Sequence, residues 1–159
     1  MTLTVESATL TTIVLRRRFA APPARVYQAH IDHNLLRRWM CGEGGTILSV
    51  CDIDARVGGA ITYRWSWPDG SGFSLTGTFK VLEPPHRIVH VEVMHLPDPT
   101  PENLIETRFD DDGQGGTQMT MTMTLPDAQT AADLAGSGMA DGMTGCYLLL
   151  DTLIDTASP

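Results

Sequence analysis

Apolar and polar residues alternate along most of residues 10–125, and a three- and four-residue recurrence takes over at 127–155. Residues 117–125 alternate strictly, with Met119, Met121 and Met123 against Thr120, Thr122 and Thr124. Residues 60–67 set Ile61, Tyr63, Trp65 and Trp67 against Thr62, Arg64 and Ser66. Residues 73–82 set Phe73, Leu75, Phe79 and Val81 against Ser74, Thr76, Thr78 and Lys80. In residues 10–19, Ile13, Leu15, Arg17 and Phe19 share one face, and Val14, Arg16 and Arg18 the other. Residues 47–53, 87–95 and 103–110 bring the total to about seven strands. The turns have a chemical basis. Pro68-Asp69-Gly70 combines a fixed φ with tolerance of positive φ, and Asp111-Asp112-Gly113 with Gly115-Gly116 forms a hairpin. Pro97, Pro99 and Pro101 mark a loop.

Ala21-Pro22-Pro23 ends the first strand, and Pro23 suits the first turn of a short helix at 24–31. Asp32 can cap a second at 33–40, carrying Leu35, Leu36 and Trp39, which Gly42, Gly44 and Gly45 end. At 127–155, Asp127 is a cap, and Leu134, Met139, Met143, Cys146, Tyr147, Leu150 and Leu153 make one apolar stripe. Asp133, Asp141, Thr144, Asp151 and Asp155 fall largely on other faces. Gly136-Ser137-Gly138 predicts a break that delays the long helix to residue 138 or so. Strands with a threonine face and an apolar face need covering on one side only. The economical fold is therefore α+β: a curved antiparallel sheet of about seven strands wrapped around a long C-terminal helix, with two short helices after the first strand. A flexible arm at 1–9, one domain at 10–155 and a tail at 156–159 are expected.

The chain has 159 residues, enough for one domain with a real core, and a formal net charge of −8. That acidity disfavours nucleic acid and anionic membranes as partners. Cys41, Cys51 and Cys146 are odd in number and lack C-x-x-C spacing, which argues against a disulfide framework or a cysteine zinc site. Residues 1–12 lack a signal-peptide pattern, and no apolar run reaches membrane-spanning length. A soluble cytoplasmic protein without cofactor is the expectation.

Several motifs then resemble one family. Arg17-Arg18-Phe19-Ala20-Ala21-Pro22, followed by Val26 and Ala29, is similar to its opening motif, and Trp39 to the tryptophan ending its second short helix. Asp54-Ala55-Arg56-Val57-Gly58-Gly59 is similar to its D-x-R-x-G-G turn. Asp69-Gly70, Gly77-Thr78-Phe79 and Glu83-Pro84-Pro85-His86-Arg87-Ile88 continue in register. By these motifs, residues 10–155 resemble the activator-of-heat-shock-chaperone-ATPase homologues, the Aha-type proteins. These lie within the SRPBCC superfamily, beside START lipid-transfer domains and the birch-pollen allergen. The resemblance implies the helix-grip, START-like fold. Many members carry Gly-Trp in the closing helix, where this chain has Gly142-Met143.

A small apolar or amphipathic molecule held between sheet and helix is the leading functional expectation. Its candidate lining is Tyr63, Trp65, Phe73, Leu75, Met119 and Met121 from the sheet, with Met139, Met143 and Tyr147 from the helix. Trp39 and Arg17 complete the ligand-binding candidates. Arg17 lies on an apolar strand face and needs a carboxylate, either a ligand's or that of Asp54 or Glu43, unless it reaches solvent. His90 and Glu92 share a face that reads as the solvent side with the threonines, and His95 points the other way. Cys41, near Arg37 and Arg38, is an ordinary loop cysteine, and Asp110-Asp111-Asp112 lacks calcium-loop spacing. No nucleophile–base pair, metal set or phosphate loop stands out. One rival is a cyclase- or lyase-type enzyme acting on a polyketide-like or other apolar substrate through Tyr63, Arg17 or Tyr147. Another is a chaperone-linked or other protein-interaction module, with a homodimer as one form.

Overall fold

The computed structural model describes residues 3–8, 10–41, 45–96 and 98–156. Its elements follow in chain order: β1 (Thr4–Ala8), β2 (Thr12–Phe19), α1 (Pro23–Ala29), α2 (His33–Trp39), β3 (Ile47–Ile53), β4 (Ala60–Ser66), β5 (Gly72–Glu83), β6 (Arg87–Leu96), β7 (Asp98–Pro99), β8 (Asn103–Asp111), β9 (Thr117–Thr124), α3 (Ala128–Ala135) and α4 (Met139–Thr156). The antiparallel sheet runs β1-β2-β9-β8-β6-β5-β4-β3, and the two-residue β7 pairs with β6 off that path. The strand count therefore exceeds the expected seven. Thr4–Ala8, expected within a loose arm, is an edge strand in which Val5 pairs with Leu15. The proline-rich loop likewise contributes β7.

The caps form as their chemistry requires. The Asp127 carboxylate accepts from the Thr130 N–H at 2.7 Å, and Asp32 accepts from the N–H groups of Asn34 and Leu35. Pro23 occupies the first turn of α1. The break at 136–138 is present, but the segment before it is helical in its own right, and the long helix starts at Met139. The helix stops expected at Gly42 and Gly44, the loop residue Pro97 and residues 157–159 lie outside the described residues, as does the side chain of Asp155.

Pairing register decides which side chains face the helix. In β9, Met119, Met121 and Met123 are buried against the core, as are Ile13, Leu15, Arg17 and Phe19 in β2. On β5 the pattern is broken. The pairing passes from Phe79–His90 to Val81–Val89, so Lys80 is an extra residue and the facing reverses after it. Leu82, not Val81, packs on the core.

On β6 the expected faces are exchanged. His90 pairs with Phe79 on one side and Ile105 on the other, both turned inward, and Glu92 pairs with Gly77 and Asn103. Paired residues point the same way, so His90 and Glu92 face the helix side, while Val89, Val91 and Val93 take the outer face with Thr76, Thr78 and Leu104. Gly77 has its own reason to be glycine: a Cβ there would run into the Val91 carbonyl oxygen.

Candidate functional site

Two aromatic groups divide the space between sheet and helix. At one end Phe19, Tyr27, His30, Trp39, Phe109 and Tyr147 interlock. Trp39 stacks on Tyr147 at 5.4 Å, and Phe19 meets Tyr147 edge-on at the same distance. Trp39 Nε1–H donates to the Ala29 carbonyl at 3.0 Å, which anchors α2 to α1. At the other end Trp65 stacks on Phe73 at 4.9 Å, and its Nε1–H donates to the Met40 carbonyl at 2.9 Å. Between these groups lies a chamber of about 540 Å³, with a wall that is mostly aromatic, aliphatic and thioether. Trp67, 41 % exposed, stands at its rim.

Of the residues singled out from the sequence, Trp39, Tyr63, Trp65, Phe73 and Leu75 border this chamber. So do Met121, Met139, Met143 and Tyr147. Met119 does not; it is fully buried, in register with Arg17 and Phe109. Arg17 is also outside the wall. Its Nη1 and Nη2 donate to the two carboxylate oxygens of Asp151 on α4 at 2.9 and 2.7 Å, and the guanidinium lies over the rings of Phe19 and Tyr147. The carboxylate it requires is thus neither a ligand's nor that of Asp54, which pairs with Arg56 at the surface; Glu43 lies outside the described residues. Asp151, assigned by pattern to another helix face, follows Tyr147 by one turn and so points to the same side.

The polar part of the wall is where sequence reasoning missed residues. His90 and Glu92, expected on the solvent face, line the chamber, with Nε2 and Oε2 3.4 Å apart. Asn103 and Thr107, 6 % and 4 % exposed, lie beside them on β8. The Asn103 Oδ1 is buried without a hydrogen-bond partner. His30, at the end of α1, also borders the chamber. Its Nδ1–H donates to the Val26 carbonyl at 2.7 Å, which leaves Nε2 as a lone-pair acceptor, buried and without a partner. Burial lowers the His30 pKa to about 4; the Val26 hydrogen bond opposes that shift and His90 adds to it. The imidazole is therefore neutral at neutral pH. Burial is also the main force raising the Tyr63 and Tyr147 hydroxyls above the usual phenol range and pushing the Cys146 thiol up to about 11. None of the three ionises at neutral pH, so Cys146 is a poor nucleophile. Among the described residues no cluster of three or more His, Cys, Asp or Glu side chains could hold a metal ion. No helix there is long and apolar enough to cross a membrane.

A curved antiparallel sheet closed by a C-terminal helix over an internal chamber is the helix-grip class of protein. The chain belongs to the family described as Activator of Hsp90 ATPase homolog 1-like protein, whose family model matches residues 20–155. A crystal structure of a Rhodobacter sphaeroides protein is similar over 98 % of this chain and 99 % of its own, at 28 % identity and a TM-score of 0.92. A Mycobacterium smegmatis protein shares the fold at 24 % identity and a TM-score of 0.84, covering 98 % of this chain and 99 % of its own. A Chromobacterium violaceum protein is 25 % identical with a TM-score of 0.76, covering 92 % of this chain and 98 % of its own. No curated protein matches the chain.

Proposed function

We propose that the protein binds a small apolar or amphipathic molecule in the chamber between sheet and helix. One observation carries this reading: a space of about 540 Å³ is left among aromatic and thioether side chains, with a few polar groups converging on it. Filling such a space with side chains is what a purely structural core does. Gly142 borders the chamber and adds no side chain to fill it.

Native mass spectrometry of the purified protein, followed by denaturing extraction, is expected to show a co-purifying organic molecule. Met143→Trp puts an indole into the wall and is expected to weaken retention of that molecule by about tenfold or more. A protein that carries nothing, and takes up no apolar fluorescent probe, would remove the reading.

A second reading, an enzyme that holds a flexible apolar substrate folded, is favoured by the His90–Glu92 pair inside the chamber. Glu92→Gln is then expected to abolish chemical change in the extracted molecule at concentrations that saturate the variant. Failure of the wild-type protein to alter that molecule over prolonged incubation would leave a carrier and no enzyme.

A further inference from the structure

The chamber wall carries hydroxyls that can donate or accept, from Thr46, Tyr63, Thr107 and Tyr147, but its unpartnered buried polar atoms are acceptors. No lysine or arginine borders it among the described residues. The cation nearest in kind, Arg17, is occupied by Asp151 outside the wall. Glu92 only accepts when ionised. His30 presents Nε2 as a bare acceptor because its N–H is given to the Val26 carbonyl. The Asn103 Oδ1 is a further buried atom with no partner. An unpaired buried acceptor carries a desolvation penalty that a matching donor relieves. A carboxylate entering this space would find no lysine or arginine to balance it and would meet the side chain of Glu92. An ammonium would be drawn to Glu92, but it would have to shed its water among the rings of Trp39 and Phe109 that pack on His30. A neutral hydroxyl meets neither cost.

We infer that the chamber selects an apolar ligand by a hydroxyl group that donates to an acceptor of its wall, His30 Nε2, Glu92 or Asn103 Oδ1, and that it rejects the carboxylate of the same carbon skeleton. This rests on the chamber being a binding site at all.

The test is a fluorescence titration of the full chain with three matched probes: hydroxypyrene, methoxypyrene and pyrene carboxylate. Hydroxypyrene is expected to bind about tenfold or more tightly than either of the others. In His30→Phe, which keeps a ring but has no acceptor, the ratio of hydroxypyrene to methoxypyrene affinity should shrink toward one. Should that variant not fold, Asn103→Leu asks the same question from β8, and the wild-type comparison still decides the matter. Equal affinities, or tighter binding of the carboxylate, would overturn the selectivity and leave the chamber reading standing. Absence of binding by all three would overturn both.

Discussion

Replacing Asp151 with alanine is expected to destabilise the folded protein by about 3–5 kcal/mol in chemical denaturation, because it removes the carboxylate paired with the buried Arg17 guanidinium. The Arg17 side chain is fully buried and that of Asp151 is 21 % exposed, and their fork-like pairing ties β2 to α4. Removing the carboxylate takes a two-pronged counter-charge away from a guanidinium lying over the rings of Phe19 and Tyr147. Water reaching the side chain of residue 151 will relieve part of that, which places the loss toward the lower end of the range. The pair itself is a different quantity. Arg17→Met with Asp151→Leu removes both charges, and most of the lost stability should return. The Arg56–Asp54 pair, with side chains 75 % and 48 % exposed, makes the contrast: breaking it should change stability by roughly 1 kcal/mol at most. If Asp151→Ala costs no more than that surface change, Arg17 has another way to satisfy its charge and this account of the interior is wrong.

The second large effect is a loss of stability in mild acid. The His30 pKa is lowered from an ordinary 6.5 to about 4, with burial the leading cause. Below pH 6.5 the unfolded chain takes up a proton at this imidazole that the folded chain refuses, so folding is penalised increasingly as pH falls. The penalty is complete near pH 4 and amounts to something on the order of 3 kcal/mol. Its sign is the reverse of that for a histidine held by a carboxylate, which strengthens a fold in acid. Urea denaturation from pH 7.5 down to 4 should show the decline, and His30→Phe should flatten it. Asp69, Asp112 and Asp127 have pKa values lowered by hydrogen bonds, for Asp127 chiefly from the Thr130 N–H. Their contribution is present above the ordinary carboxylate value of 3.8 and is lost below it, so the two windows separate. A slope that persists in His30→Phe would assign the acid sensitivity elsewhere.

Most of the fold was legible because its elements carry redundant signals. Strands β4 and β9 alternate without exception, Asp32 and Asp127 sit where a cap must sit, and glycines punctuate the break between α3 and α4. The candidate site was legible only in its apolar half. Tyr63, Trp65, Phe73 and Met143 could be placed because apolar side chains on a one-sided sheet have one place to go. His90 and Glu92 could not, because β6 alternates valine with polar residues, and the apolar set ordinarily marks the inside. Here Val89, Val91 and Val93 are turned outward by register with Thr76, Thr78 and Leu104, a property of three strands together that one strand cannot announce. The extra residue at Lys80 hid the exchange of Val81 for Leu82 in the same way. Arg17 declared its need for a carboxylate, but its partner lies 134 residues along the chain, on α4.

The strand order has one more consequence, for the order of events in the cell. Thr12 pairs with Thr124 and Phe19 with Thr117, so β2 waits for β9 before it gains a neighbour other than the short β1. A nascent chain halted between residues 111 and 117 has the β3–β8 strands but no β9 joining them to β2, and no α4 to close over them. Long loops must close before those pairings reward them, which places folding among the slower, nonlocal topologies. The chamber comes into being only after β9 and α4 have been made, because Met121 and Met123 of the one and Met143 and Tyr147 of the other complete its wall.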